Sequence, residues 1–122
     1  MKKKILVVED EPGMVMLLKA RLESRGYRVY SAKDGIEGIQ KAKELHPDVI
    51  LLDVMMPRLD GYSMAQRLKE DDTTTSIPLV VVTIKEAMRP LFKKLGVDYF
   101  FTKPFEDEEL LSAVKRILSD ER

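Results

Sequence analysis

The sequence predicts a doubly wound α/β domain, one parallel sheet with helices on both faces. Three observations predict it. Short unbroken apolar runs, Ile5 to Val8, Val49 to Leu52 and Leu79 to Val82, are the mark of strands buried on both faces. Segments of helical spacing separate them, an alternation that calls for right-handed crossovers between parallel strands. Polar residues stand where the runs stop: Glu9-Asp10, Asp53 and Thr83. In open sheets of this kind ligands bind outside the carboxyl ends of the strands.

The elements follow in order. After Glu9-Asp10-Glu11, Pro12 suits a first helical turn, where its missing N–H costs nothing. Met14 to Arg25 carries apolar residues at 14, 15, 17, 18 and 22, and Gly26 ends the helix. Tyr27 to Ser31 is a short strand. Asp34 caps a helix over about Gly35 to Leu45, with Ile36, Ile39, Ala42 and Leu45 on one face. Val49 to Leu52 is the central strand. It runs into Asp53, and Pro57 with the turn pair Asp60-Gly61 takes the chain out of the sheet. A helix through Met64 and Leu68 ends near Asp71, and Asp72 to Ser76 is a polar loop. Leu79 to Val82 is the fourth strand. Glu86 to Leu95 is the weakest helix, because Pro90 forbids a start far upstream of it. Tyr99 to Thr102 is the last strand, followed by Lys103-Pro104. Glu106 to Leu118 is an amphipathic helix facing inward with Leu110, Leu111, Val114, Ile117 and Leu118.

Length and composition bound the rest. The 122 residues suffice for one domain, expected over 1–122, and not for two. The formal net charge of zero gives no field favouring nucleic acid or an anionic membrane, so neither is expected as a partner. The absence of Cys excludes disulfides and thiol chemistry and fits the cytoplasm. Met1-Lys2-Lys3-Lys4 opens like a signal peptide, but the apolar run after it is too short for one or for a membrane span. The single His, His46, precedes Pro47 at a helix end and is read as structural or solvated.

With sheet order 2-1-3-4-5, the first and third strands flank the switch point. Glu9, Asp10, Asp53, Thr83 and Lys103 then share one rim. Three carboxylates in a small site repel one another. A hard divalent cation relieves that conflict, and Mg²⁺ accepts few protein ligands. Lys103 adds a fixed positive charge and Thr83 a hydroxyl. A carboxylate nucleophile, a metal, a cation and a hydroxyl donor are the parts of phosphoryl transfer. Taken singly, the residues have plainer readings: Asp53 as a loop cap, Thr83 as a strand former, Lys103 as a solvated charge, Phe100 and Phe101 as core.

From about Lys3 to Leu118 the chain resembles the receiver domain of two-component response regulators. The resemblance rests on Glu9-Asp10, Asp53 with Met56-Pro57 and Asp60-Gly61, Thr83, and Lys103-Pro104-Phe105. It implies a flavodoxin-like five-stranded sheet with five helices, and a signalling switch that catalyses only its own phosphorylation and dephosphorylation. Asp53 is expected to take a phosphoryl group from a phosphohistidine of a sensor histidine kinase or phosphotransfer protein, and so to control a downstream effector protein. Asp10 and Asp53 would hold Mg²⁺ directly, Glu9 through water, with the Met55 carbonyl as a further ligand. Lys103 would pair with the carboxylate and then with the phosphoryl oxygen. Thr83 would swing toward that group, and Phe100 turn inward with it. The chain departs from the family pattern in having Glu at position 9, Phe at 100 and the bulky Ile84 after Thr83, and in a shortened segment from Thr83 to Gly96.

Other functions fit less well. A phosphatase of the haloacid-dehalogenase type needs a second Asp two residues after the nucleophile, and position 55 is Met. A phosphate-independent interaction domain would lack the acceptor, the acidic pair or the Lys. A flavin-binding protein would replace the acidic segment Glu9 to Gly13 with a Ser/Thr/Gly-rich loop. Met14, Val15 and Met16 give the first helix more apolar surface than one buried face needs, which leaves packing and a docking patch for a kinase helix as alternatives.

Overall fold

The computed structural model describes residues 2–56 and 58–119. Pro57 and Met1, both used in the sequence argument, lie outside the described residues. Strands β1 (Lys4–Val8), β2 (Arg28–Ala32), β3 (Val49–Leu52), β4 (Leu79–Thr83) and β5 (Tyr99–Thr102) form one sheet of order β2-β1-β3-β4-β5. All neighbouring pairs are parallel. Helices α1 (Pro12–Glu23), α2 (Gly35–Leu45), α3 (Gly61–Glu70) and α4 (Arg89–Leu95) make the crossovers, and α5 (Asp107–Leu118) follows the last strand. No helix among the described residues is long and apolar enough to cross a membrane.

Side-chain alternation along the strands divides the core in two. Leu6, Val8, Ile50, Leu52, Leu79 and Val81 meet Ala42 of α2, Met64 and Leu68 of α3 and Phe92 of α4. Their neighbours Ile5, Val7, Leu51, Val80 and Val82 meet Leu18 and Leu22 of α1 and Leu110 and Val114 of α5. A central strand flanked on both faces must be apolar at every position, which is why β3 reads as a continuous run.

The structure departs from the sequence reading in local ways. Ile36 lies on the exposed side of α2, whose buried residues are Gly35, Gly38 and Ala42. A Cβ at Gly38 would stand 2.9 Å from the Met64 side chain and 3.1 Å from Val8, so the glycine face lies against its neighbours and turns Ile36 outward. On α1 only Leu18 and Leu22 are fully buried; Leu17 and Met16 are exposed. Pro90 stands in the first turn of α4, behind a 3-10 turn at Glu86–Met88. Thr74, in the polar loop, is buried because its hydroxyl donates to the Leu68 carbonyl at 2.7 Å and closes the end of α3. Phe100 and Phe101 are half-buried, since β5 is an edge strand. His46 is exposed and left-handed (φ 49°) at the end of α2, a structural position.

Candidate functional site

The register of β1 on β3, Val8 opposite Leu52, brings the residues after both strands to one rim. The Asp53 N–H donates to the Val8 carbonyl at 3.1 Å, so the ladder runs to the carboxylate itself. Ligand oxygens of Glu9, Asp10 and Asp53 all lie within 4.8 Å of one another. Glu9 is 4% exposed and Asp53 7%, whereas Asp10 is open to solvent. From β5, the Lys103 ammonium donates to Glu9 Oε1 at 2.9 Å and to Asp53 Oδ2 at 3.2 Å. The sequence reading had paired Lys103 with Asp53; the structure shares it between two carboxylates, with Glu9 the nearer.

The other oxygens of Glu9 and Asp53 are engaged by backbone N–H groups. Asp53 Oδ1 accepts from the N–H of Val54 at 2.6 Å and of Met55 at 3.3 Å. Glu9 Oε2 accepts from the Glu11 N–H at 3.3 Å. Burial pushes the Glu9 carboxyl above its ordinary range and the Asp53 charge adds to this, against the lowering effect of Lys103. Burial by itself would lower the Lys103 ammonium. Its hydrogen bond to Glu9 and the charges of Asp53 and Glu9 outweigh that, so it titrates above its usual value.

Thr83 is fully buried at the end of β4. Its hydroxyl accepts from the Lys85 N–H at 3.2 Å, and its carbonyl accepts from the Lys103 N–H at 2.8 Å. The ends of β4 and β5 are therefore tied together at two of the residues expected in the site. Met55 and Ile84 stand exposed on the rim, at 47% and 62%. Phe100 packs against Phe92, ring centroids 5.7 Å apart, while the Arg89 guanidinium lies over its ring, 4.7 Å from the centroid, and donates to its carbonyl at 3.1 Å.

One ammonium among three carboxylates leaves an excess of negative charge in a partly buried site. The donors are hard oxygens, two of them already oriented by backbone N–H groups. This set fits a hard divalent cation of the Mg²⁺ type.

Comparison with known proteins decides the family. The family described as "Response regulator receiver domain" matches residues 5–115. The chain belongs to the response regulator receiver family. This receiver is 42% identical over 118 residues to the alkaline phosphatase synthesis transcriptional regulatory protein PhoP of Bacillus subtilis, a match covering 97% of the chain and 49% of PhoP. It is 36% identical to Protein PilH of Pseudomonas aeruginosa, covering 95% of the chain and 98% of PilH. The chain thus spans about half the length of some of its curated relatives. Among solved structures, the receiver domain of sensor histidine kinase PA1611 from Pseudomonas aeruginosa, with a magnesium ion coordinated in its active site cleft, superposes with a TM-score of 0.89 at 30% identity, covering 98% of this chain and 100% of that one. Receiver domains of two-component systems are signalling switches, not classical enzymes.

The sequence reading expected seven residues in the site or switch: Glu9, Asp10, Asp53, Met55, Thr83, Phe100 and Lys103. The structure brings the three acids and Lys103 into one cluster, joins Met55 to Asp53 and joins Thr83 to Lys103 through the backbone. It places Phe100 apart, in contact with Phe92 and Arg89. Sequence reasoning took Gly61 as part of a turn and of the family motif, and missed its close approach to Asp53. Gly61 is the first residue of α3, capped by Asp60, whose side chain accepts from Ser63 N at 2.9 Å. A Cβ on Gly61 would stand 2.1 Å from the Asp53 carbonyl oxygen. The readable signal was the second Asp-Gly pair, Asp34-Gly35, which repeats the arrangement at α2.

Proposed function

We propose that this receiver takes a phosphoryl group from a phosphohistidine of a sensor histidine kinase or phosphotransfer protein onto Asp53, with Mg²⁺, and thereby controls an effector protein. The observation that carries the reading is the cluster of Glu9, Asp10 and Asp53, with Lys103 hydrogen-bonded to two of the three. An Asp53 oxygen attacks phosphorus, the bond from phosphorus to the partner's imidazole nitrogen breaks, and its electron pair stays on that nitrogen. The product is an acyl phosphate. The N–H groups of Val54 and Met55 hold Oδ1 and fix the carboxylate plane, and Lys103 follows the charge from Asp53 Oδ2 to a phosphoryl oxygen.

Asp10 and Asp53, with the Met55 carbonyl, would hold Mg²⁺ directly. Glu9 would act through water, which accords with both its oxygens being engaged by Lys103 and Glu11. When bound, the ion neutralises charge on the phosphoryl oxygens. Asp53, Thr83 and Lys103 carry the proposed chemistry, Thr83 and Phe100 form the proposed switch, and the chain catalyses only its own phosphorylation and dephosphorylation. The reading takes 1–122 as one receiver domain working in the cytoplasm, binding neither nucleic acid nor membrane. Incubation with acetyl phosphate and Mg²⁺ should add one phosphoryl mass to the intact protein, and none to Asp53→Ala. Labelling that survives in Asp53→Ala would move the acceptor elsewhere.

A further inference from the structure

Asp34 is a buried carboxylate outside the acidic cluster, on the far side of the loop that follows Asp53. Its Oδ1 accepts from the Glu37 N–H at 2.8 Å, the ordinary work of a helix cap. Its Oδ2 receives Arg58 through two nitrogens, Nε at 2.9 Å and Nη2 at 2.8 Å. Arg58 holds a left-handed backbone, φ 66°, which a non-glycine residue adopts at a cost. Beside it, the Gly35 N–H donates to the Leu59 carbonyl at 3.2 Å, and a Cβ on Gly35 would stand 2.4 Å from that oxygen. Capping α2 needs none of this, because Asp34 Oδ1 caps it alone.

The contacts continue to the acceptor. Residues 58–59 lead through the Asp60 cap to Gly61, whose N–H donates to the Val54 carbonyl at 3.0 Å and whose Cα lies against the Asp53 carbonyl. The start of α2, the 58–61 segment and the backbone of Asp53 and Val54 are thus packed in one line without slack.

We propose that Asp34 and Arg58 are a positioning pair: the clasp sets the backbone of Asp53 to Met55, and with it the geometry offered to the metal and the phosphoryl group. The inference rests on the metal and acceptor roles proposed above. Neither residue touches the reacting atoms. Loss of a direct hydrogen-bond partner of a metal ligand typically changes affinity by about 10- to 100-fold, and this pair, one step further out, is expected at the lower end of that range.

The test uses the full chain with Arg58→Ala, which lies on an exposed side chain, and Asp34→Asn, which keeps a capping oxygen but loses the charge. Mg²⁺ affinity is measured by calorimetric titration, and amide exchange at Met55 and Gly61 is followed in metal-free protein. The positioning role predicts about tenfold weaker Mg²⁺ binding in each variant, no further loss in the double variant, and faster exchange at both amides. Lower thermal stability with unchanged Mg²⁺ affinity and unchanged exchange would reduce the pair to a helix cap and overturn the proposal. If the wild type binds no Mg²⁺, the metal reading fails, and the exchange rates alone decide the clasp.

Discussion

Replacing Gly61 by Ala tests how tightly the acceptor is held from behind. The new methyl would lie 2.1 Å from the Asp53 carbonyl oxygen, 2.8 Å from its carbonyl carbon and 2.8 Å from the Val54 Cα. All three are backbone atoms, so no side chain can rotate away. The first contact must open by about 0.9 Å to reach even the 3.0 Å limit of real Cβ contacts. Overpacking costs roughly 1–3 kcal/mol, and the upper end applies where backbone must move. The better helix propensity of Ala returns less than about 1 kcal/mol. A net loss of about 2 kcal/mol shifts a urea midpoint by roughly 1 M at the usual slope for a small domain. A displacement near 1 Å at Asp53 should also slow phosphorylation by acetyl phosphate about 100-fold. Gly13→Ala is the control. Its Cβ would meet only the Glu11 carboxylate at 3.5 Å, and it should leave both quantities near wild type. The assays are urea unfolding by circular dichroism and intact-mass labelling rates. A Gly61→Ala protein with wild-type midpoint and rate would refute the close-approach argument.

Three further outcomes follow from the site. In metal-free protein, Mg²⁺ at ten times its dissociation constant should add about 1.4 kcal/mol of stability, a gain that a thermal melt reads directly and that Asp10→Ala should lose. Glu9, its carboxyl raised by burial, contributes stability that is complete below pH 4.5 and is lost as pH rises through its folded value. The stability of Glu9→Gln relative to wild type should therefore improve as pH climbs from 4.5 toward 7 without metal, and a difference that is flat in pH contradicts the shift. Met55 and Lys85, both exposed beside the site, offer no carboxylate or amide to orient an attacking water. Met55→Asn and Lys85→Glu should shorten the lifetime of the phosphorylated form by about tenfold, or roughly 1.4 kcal/mol of barrier, and variants that decay no faster would leave Met55 as ordinary packing.

The sheet was readable because a doubly buried strand must be apolar at every position, and the strands that flank the switch point end in acid. The candidate site was readable because the sheet order alone carries Glu9, Asp10, Asp53 and Lys103 to one rim. What escaped were contacts made by absence and by distance. Gly61 and Gly35 matter through the backbone they admit, and a glycine after an aspartate reads equally well as a turn. Arg58 and Asp34 stand 24 residues apart, and no periodicity links them. Helical spacing grouped Ile36 with Ile39 and Ala42, but the pattern cannot show which flank of that stripe is drawn inward when two glycines let the helix approach closely.

The division of Lys103 between two acids bears on how the proposed switch would be driven. Its ammonium now stands nearer Glu9 than Asp53, and its own N–H is fixed to the Thr83 carbonyl. A phosphoryl group on Asp53 would add negative charge on one side of that balance, as phosphorylation does elsewhere through new charge-assisted bonds. Lys103 would then be drawn from Glu9 toward the acceptor, and the bond to Thr83 would make the ends of β4 and β5 follow. Opposing this is Arg89, which holds Phe100 by its ring and its carbonyl and is itself held through two nitrogens by Glu86. Those contacts are exposed, so each is weak in water, whereas the lysine works where solvent is largely excluded. The same charge is therefore worth more at the acid cluster than at Arg89, and under the proposed function that inequality would let phosphorylation of Asp53 move Phe100 on the edge strand.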